Sequence, residues 1–302
     1  MKNSDHWIIC LDLTSMDDIL LGYASYIKTV FKPKTVTFLH VINIGTAARR
    51  IIDEYPEIGS EEDFENILRD ELNENIDEHF DKSDVEVRTI LKKGRPTNTI
   101  IEVVNTLEPD LLIVGKKIGY QGEGIIPKTI TKYIPNSILF VPENSRYGLK
   151  KVLVPVDFSE QSAKALKTAI EMAKEEDGSA IAQHIYRYRA QFFPYAMTEE
   201  DKQKMDKEVQ QTRDKFLEDY NIPSDLKFVL SRHNNDKLMD VVYDLLVHEQ
   251  ADLLVFGSKV KALPSLIRRD FIDKAIHYNF GVPILIQKNR ERYAKFLKKL
   301  FQ

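Results

Sequence analysis

The sequence predicts an α/β protein made of two tandem domains, each with a parallel sheet that helices cover on both faces. Short β-branched runs alternate with segments whose apolar residues recur every three or four positions, a pattern typical of strands that alternate with helices. The same blocks also occur twice, about 145 residues apart, which indicates an internal duplication. The matching positions are Asp12 and Asp157, His40 and His184, Asp110 and Asp252, and Ile138 and Ile284.

The periodic segments predict five strands and four helices in each copy. In the first copy we expect strands at 7–12, 35–42, 84–91, 110–115 and 137–142, and helices at 16–31, 60–81, 96–107 and 124–133. In the second copy we expect strands at 151–157, 179–186, 226–231, 252–257 and 282–287, and helices at 159–175, 198–220, 236–249 and 265–279. Ser159 is the expected N-cap of its helix, and Thr14 and Asp17 have the spacing of a capping box.

The domain boundaries follow from the duplication. We expect a first domain at 1–146, a second at 147–289, and an amphipathic basic helix at 290–302. The junction near residues 142–148 is short and rich in turn formers, so the two domains are expected to pack together. The last helix either docks on its own domain or binds a membrane surface or a partner, and both readings stay open.

Composition excludes several classes of protein. The formal net charge of −4, with both signs mixed, disfavours nucleic acid as a partner. The only cysteine, Cys10, lies in a predicted buried strand, so no disulfide can form within the chain. No apolar run approaches the length of about 18 residues that a membrane span needs, and no leader is recognisable, so we expect a cytoplasmic protein.

Enzyme motifs are not found in the sequence. Walker and Gly-x-Gly-x-x-Gly patterns do not follow the strands, and the seven histidines have no metal-ligand spacing. His40 and His184 recur in both copies within strands, which favours buried neutral histidines bonded to the backbone over catalytic bases. Aromatic residues cluster at 186–195, where either packing or a ligand or partner surface would explain them.

The repeated motifs resemble the universal stress protein family in a tandem two-domain form. The resemblance rests on the run from Val154 to Ser162, on His184, on the run from Ala251 to Ser258, and on their first-copy counterparts. It implies five-stranded, Rossmann-like sheets of the adenine nucleotide alpha hydrolase type, related by a pseudo-two-fold axis. It also implies pairing of the two domains through their last strands within one chain. The sequence leaves open whether two chains form a homodimer.

The resemblance also implies a nucleotide site, because family members that bind ATP use a strand-end aspartate and a glycine-rich phosphate loop. In the first copy Asp12, Val41 and Gly115 match, and Gly119, Gly122 and Gly124 match if the loop is shortened. With the family's full spacing, the loop positions fall instead on Ile118, Lys128 and Thr129, which keep only a hydroxyl. In the second copy Asp157 and Gly257 match, but Val260, Asp270 and Phe271 stand where glycine and hydroxyl residues are expected. That site is therefore expected to be degenerate.

Two interpretations of the first copy stay open. Its glycines either form a nucleotide site or make a tight turn before a helix, and both aspartates could serve only as turn residues. We expect a non-enzymatic stress-response protein that binds a small ligand or a protein partner. The alternative is a switch or slow ATPase that binds ATP or AMP in the first domain only.

Overall fold

The computed structural model describes residues 5–43, 54–55, 60–117, 127–187, 198–233, 237–258 and 269–288. The described part forms an α/β fold with a mostly parallel sheet, as the sequence predicts. The chain divides into two compact units. Unit 1 contains residues 1–147 and 281–302, and unit 2 contains residues 148–280. The domain boundaries drawn from the sequence stay a prediction.

Unit 1 is built on five parallel strands and one antiparallel strand. Its elements are β1 (His6–Leu11), α1 (Met16–Phe31), β2 (Thr35–Ile42), α2 (Glu61–His79), β3 (Glu86–Lys93), α3 (Pro96–Leu107), β4 (Leu111–Lys116), α4 (Pro127–Tyr133), β5 (Ser137–Pro142) and β10 (Ile284–Gln287). The strand order is β3-β2-β1-β4-β5, and β10 pairs with β5 in the antiparallel direction. This order places β1 and β4 side by side at the centre.

Unit 2 repeats the arrangement on four parallel strands. Its elements are β6 (Lys151–Pro155), α5 (Glu160–Lys174), β7 (Ser179–Tyr186), α6 (Glu199–Asp219), β8 (Lys227–Arg232), α7 (Leu238–Glu249), β9 (Leu253–Gly257) and α8 (Arg269–His277). The strand order β9-β6-β7-β8 matches β4-β1-β2-β3 of unit 1. The duplicated sequence therefore folds into the same strand order twice.

The central strands are buried on both faces, which explains their continuous apolar runs. Trp7, Ile8 and Ile9 of β1 are fully buried, and so are Val152, Leu153 and Val154 of β6. Burying side chains of this size stabilises the fold by about 1.5–3 kcal/mol each. Cys10 lies in β1 as a buried free thiol, as expected. The cores of both units therefore lie along these central strands.

Five predicted elements, at 16–31, 35–42, 96–107, 137–142 and 179–186, match the observed ones at both ends, and the ends of the others differ by at most four residues. The helix predicted at 60–81 ends at His79, because Phe80 is extended and its ring packs on Phe38. The strand predicted at 84–91 runs instead over Glu86–Lys93. The predicted helix at 290–302, residues 188–195 of the aromatic segment, and the first residues of the helices predicted at 124–133 and 265–279 lie outside the described residues.

Candidate functional site

The candidate site of unit 1 lies at the carboxyl ends of its strands, where open parallel sheets bind their ligands. Leu11 pairs with His40, so the next residue, Asp12, lies opposite Val41. Val41 in turn pairs with Lys92 of β3. The pairing of Cys10 with Val114, continued by two residues, brings Lys116 opposite Asp12. The continued register therefore places four residues, Lys92, Val41, Asp12 and Lys116, in a row across the edge of the sheet.

Asp12 is held by a neighbouring lysine and a neighbouring hydroxyl. Its Oδ2 lies 2.7 Å from the Nζ of Lys117, and its Oδ1 accepts a hydrogen bond of 2.6 Å from the Oγ1 of Thr14. The Asp12 side chain is 49% exposed and that of Lys117 is 25% exposed. The carboxylate is thus oriented at the edge of the sheet while it stays accessible from solvent.

The lysines of the row differ in their surroundings. Lys92 is exposed at the end of β3, whereas Lys116 is half-buried at the end of β4. Burial lowers the pKa of Lys116 to about 8, because desolvation disfavours the ammonium form. Lys116 is therefore mostly charged at pH 7 and loses its charge under mildly alkaline conditions.

A buried carboxylate organises the turn that carries Asp12. The Oδ1 and Oδ2 of Asp17 accept hydrogen bonds from the backbone N–H of Asp12 at 3.0 and 3.1 Å, and Oδ2 accepts another from Leu13 at 2.7 Å. Leu13 has a positive φ of 55°, which is uncommon for a branched residue. Asp17 is almost fully buried. Desolvation raises the pKa of Asp17 to about 7, although the bonds from Asp12 and Leu13 oppose that shift.

The capping box predicted between Thr14 and Asp17 at the start of α1 is wrong, because neither residue is the N-cap and Asp17 has other partners. The Asp17 carboxylate accepts from Asp12 and Leu13, and the N-cap residue is Ser15, whose side chain makes no capping hydrogen bond. The physical reason is the left-handed conformation of Leu13, which reverses the chain direction. The backbone N–H groups of Asp12 and Leu13 therefore face the Asp17 carboxylate. The N-cap predicted at Ser159 is confirmed, since its side chain accepts from the backbone N–H of Ser162.

The glycine positions of unit 1 are only partly described. Gly115 ends the apolar run of β4, and a Cβ built on it would lie 2.8 Å from the side chain of Met16. A close approach of the first helix to β4 thus accounts for this glycine without a ligand. Gly119, Gly122 and Gly124 lie outside the described residues. Their assignment to a phosphate loop stays a prediction.

The corresponding row of unit 2 has the same aspartate and different neighbours. Ile185 pairs with Ser231, and the registers of β6 with β7 and β9, continued to the strand ends, bring Asp157 opposite Ile185 and Ser258. Asp157 accepts from the backbone N–H and the side-chain hydroxyl of Ser159. Two serines therefore stand where unit 1 has Lys92 and Lys116.

The end of β9 in unit 2 is tightly packed. A Cβ on Gly257 would lie 2.6 Å from the carbonyl carbon of Gln161, so α5 passes directly over this glycine. Phe271, at a position where the resemblance implies a phosphate-binding hydroxyl, is buried and packs edge-on against Phe256 at 5.9 Å. Val260 and the side chain of Asp270 lie outside the described part. The Phe271 position therefore serves the core.

The paired histidines have a structural environment, as the sequence predicts. The Nδ1 of His40 lies 3.0 Å from the carbonyl oxygen of Leu11, and the Nδ1 of His184 lies 2.9 Å from that of Val156. Both rings are largely buried, and desolvation lowers both pKa values. In unit 2 the ring of Phe158 adds a contact with His184 at 4.0 Å. These histidines brace the turn after the first strand of each unit.

Sequence reasoning missed the parts of the site that depend on strand register. Lys92 lies 80 residues from Asp12 in the sequence and lacks any motif. Asp17 looked like a helix-cap residue. The usable signal for Lys92 was its place near the end of a strand that neighbours β2 in the sheet. Within the described ranges, no group of three or more histidine, cysteine or carboxylate side chains could hold a metal ion.

No helix in the described part of the chain is long and apolar enough to cross a membrane. Comparison with curated proteins finds no match. The model of the Universal stress protein family matches residues 148–278, which lie within the second copy of the repeat.

Solved structures match the chain over its whole length. One, assigned to the universal stress proteins of Pseudomonas aeruginosa UCBPP-PA14, has a TM-score of 0.64 and 13% identity and covers 100% of this chain and 99% of its own. A functionally unknown protein from Pseudomonas aeruginosa PAO1 has a TM-score of 0.63 and 13% identity, with coverages of 99% and 97%.

A universal stress protein from Archaeoglobus fulgidus DSM 4304 has a TM-score of 0.60 and 16% identity and covers 95% of this chain and 99% of its own. Identities this low show a shared fold and leave the function open. Residues 148–278 therefore form a domain of the universal stress protein family, and the whole chain has the fold of the tandem universal stress proteins that its sequence resembles.

Proposed function

We propose that this protein is a non-enzymatic stress-response protein that binds an adenine nucleotide, ATP or AMP, in unit 1 only. The observation that carries the proposal is the row at the edge of the sheet, where an accessible Asp12 is paired with Lys117 and shares its row with Lys92 and Lys116. A carboxylate can accept hydrogen bonds from ribose hydroxyls, and ammonium groups attract phosphate.

The charges of the row suit an anionic ligand. The Nζ of Lys117 lies 2.7 Å from the Oδ2 of Asp12, so the ammonium group lies beside the carboxylate that would bind the nucleoside. Lys116 is half-buried, and a phosphate beside it would restore favourable interactions to an ammonium that burial has partly desolvated. The glycines at 119, 122 and 124 would add backbone N–H groups if they form the predicted loop.

Unit 2 supports the restriction to one unit. Its row replaces two lysines by Ser231 and Ser258, so the electrostatic attraction for phosphate is weaker there. Phe271 is part of the core and cannot offer a hydroxyl. Asp157 accepts hydrogen bonds from the backbone N–H and the hydroxyl of Ser159. Its role in the turn therefore explains this aspartate without a ligand.

A binding role is favoured over catalysis by the state of the titratable groups. The Nδ1 atoms of His40 and His184 are bonded to the backbone, and Asp12 is paired with a lysine. A general base must also reach the proton that it abstracts, and both imidazole rings are buried beside the turn that they brace. The slow ATPase considered from the sequence remains the rival outcome of the test below.

Calorimetric titration of the full chain with ATP, ADP and AMP, with and without magnesium, tests the proposal. We expect one site per chain that Asp12→Ala removes and that the matched variant Asp157→Ala leaves intact. Equal loss from both variants would contradict the restriction to unit 1. No heat with any nucleotide would overturn the proposal and leave a protein partner as the alternative. Release of phosphate from ATP that depends on Asp12 would instead establish the ATPase.

A further inference from the structure

We propose that Asp17 is a positioning residue for the site of unit 1, and that its protonation state controls how well Asp12 is placed for a ligand. The inference rests on the proposed function, because it assigns a role to Asp17 in the use of that site. It concerns a residue for which the family resemblance implies no role.

The geometry links Asp17 directly to the main chain of Asp12. The Asp17 carboxylate accepts both the Asp12 N–H and the Leu13 N–H, at distances from 2.7 to 3.1 Å. These bonds hold Leu13 in its left-handed conformation, which a leucine otherwise avoids. The direction of the Asp12 side chain follows from this turn, and so does its contact with Lys117.

Protonation would weaken this arrangement. A protonated carboxyl group has one oxygen that carries a hydrogen and can no longer accept on equal terms from the facing N–H groups. The bonds from Asp12 and Leu13 would then loosen, and Leu13 would be freer to leave the left-handed region. Burial raises the pKa of Asp17 to about 7, which places the change within the physiological range.

The charged and titratable groups around Asp17 are few. Cys10 lies in β1, and burial together with the Asp17 charge raises the pKa of its thiol, so it stays neutral. Asp12 in the turn repels the Asp17 charge, and Lys117 beyond β4 attracts it. An anionic ligand that drew Lys117 away from Asp12 would change this balance. Ligand binding and the titration of Asp17 are therefore linked, and each must shift the other.

Unit 2 has a natural counterpart without the carboxylate. Ser162 occupies the equivalent position, and its Oγ accepts from the N–H of Ser159. Phe158 has the same left-handed conformation as Leu13, with a φ of 60°. Its ring packs against His184, Phe216 and Phe228. Aromatic packing thus stabilises the turn of unit 2, while unit 1 relies on Asp17.

The first test needs no ligand. Amide resonances of Asp12 and Leu13 in the full chain are followed by NMR between pH 5 and 9, with those of Asp157 and Phe158 as internal controls. We expect the Asp12 and Leu13 amides to titrate together with a midpoint near 7, and Asp17→Asn to abolish the transition. Amides that do not titrate, or that titrate unchanged in Asp17→Asn, would overturn the role of Asp17.

The second test uses AMP as the probe, at pH 6 and 7.5, with adenosine beside it as a ligand that has no titrating phosphate. If only the ionised form of Asp17 organises the site, the affinity for both falls by up to about tenfold at pH 6. Asp17→Asn should remove the pH dependence for adenosine, and Asp17→Ser should weaken binding at both pH values.

The two tests separate the inference from the proposed function. If the Asp12 and Leu13 amides titrate but neither AMP nor ADP nor ATP binds, the nucleotide function fails and the coupling of Asp17 to the turn stands. If AMP binds with a pH dependence that Asp17→Asn does not alter, the function stands and the control by Asp17 is wrong.

Discussion

In the row of unit 1 the strand-end aspartate lies between Val41 and Lys116, whereas in the row of unit 2 the corresponding aspartate lies between Ile185 and Ser258. Features that concern the backbone are kept in both units. Leu13 and Phe158 are left-handed, and His40 and His184 bond to the carbonyl that precedes the aspartate by one residue. The charged side chains are not kept. The comparison teaches that the fold requires the turn after the first strand of each unit. The charged side chains around that turn differ between the units, so the fold does not require them.

The largest expected difference concerns pH and stability. The carboxyl of Asp17 has an ordinary pKa of 3.8 and a folded pKa of about 7, so the folded state retains a proton that the unfolded chain has lost. The stability that Asp17 contributes is therefore complete below pH 3.8 and lost as the pH rises through 7.

Denaturant unfolding of the native chain and of Asp17→Asn between pH 4 and 8 measures this effect. We expect the native chain to lose up to about 4 kcal/mol relative to Asp17→Asn across that range. Ser162→Ala in unit 2 is the matched control, and its difference from the native chain should not change with pH. If the difference in unfolding free energy between the native chain and Asp17→Asn did not change with pH, the proposed difference between the turns of units 1 and 2 would be wrong.

The two glycines at the ends of β4 and β9 should differ in their tolerance of a side chain. In unit 2 a methyl group on Gly257 would meet the backbone of Gln161, which cannot move without shifting α5. In unit 1 a methyl group on Gly115 would meet only the flexible side chain of Met16. Gly257→Ala should cost about 3 kcal/mol of unfolding free energy and Gly115→Ala about 1 kcal/mol, as measured by urea denaturation. Equal costs would show that the two helices approach their strands alike.

Exchange of the row residues between units sharpens the functional comparison. Lys116→Ser gives unit 1 the residue of unit 2 and should weaken AMP binding about tenfold, or about 1.4 kcal/mol. Lys92→Ser should have a smaller effect, because Lys92 is exposed and solvent screens its charge. Calorimetry at two salt concentrations checks both variants. Ser258→Lys in unit 2 is the reciprocal change, and unaltered binding in Lys116→Ser would contradict the role of the lysines.

The smallest expected effect concerns the helix caps. Ser159 caps α5 with a capping box, whereas Ser15 at the start of α1 makes no side-chain capping bond. Ser159→Ala should destabilise the protein by about 1 kcal/mol, while Ser15→Ala should be nearly neutral. Thermal and urea unfolding of both variants provide the measurement. A comparable loss in Ser15→Ala would mean that the two helices start in the same way.

Much of the fold could be predicted from the sequence because it depends on local patterns. Apolar runs and helical periods identified the strands and helices, and the repeat showed that there are two copies. Strand ends such as Asp12 and Asp157 were recognisable, since a change of period marks where a strand gives way to a helix. The helix predicted to continue to residue 81 shows the limit, because the packing of Phe80 on Phe38 ends α2.

Most of the site could not be predicted, because it depends on contacts between distant parts of the chain. Lys92 and Lys116 share a row with Asp12 only through the pairing of β3, β2, β1 and β4. The partners of Asp17 depend on a left-handed Leu13, which the residue type itself disfavours.

The sequence by itself thus determined the element types, the duplication and the residues at the strand ends. Only the tertiary structure decided which side chains meet at the edge of each sheet. The physical reason is that periodicity is a local property of the chain, while strand register and helix placement result from packing of the whole core.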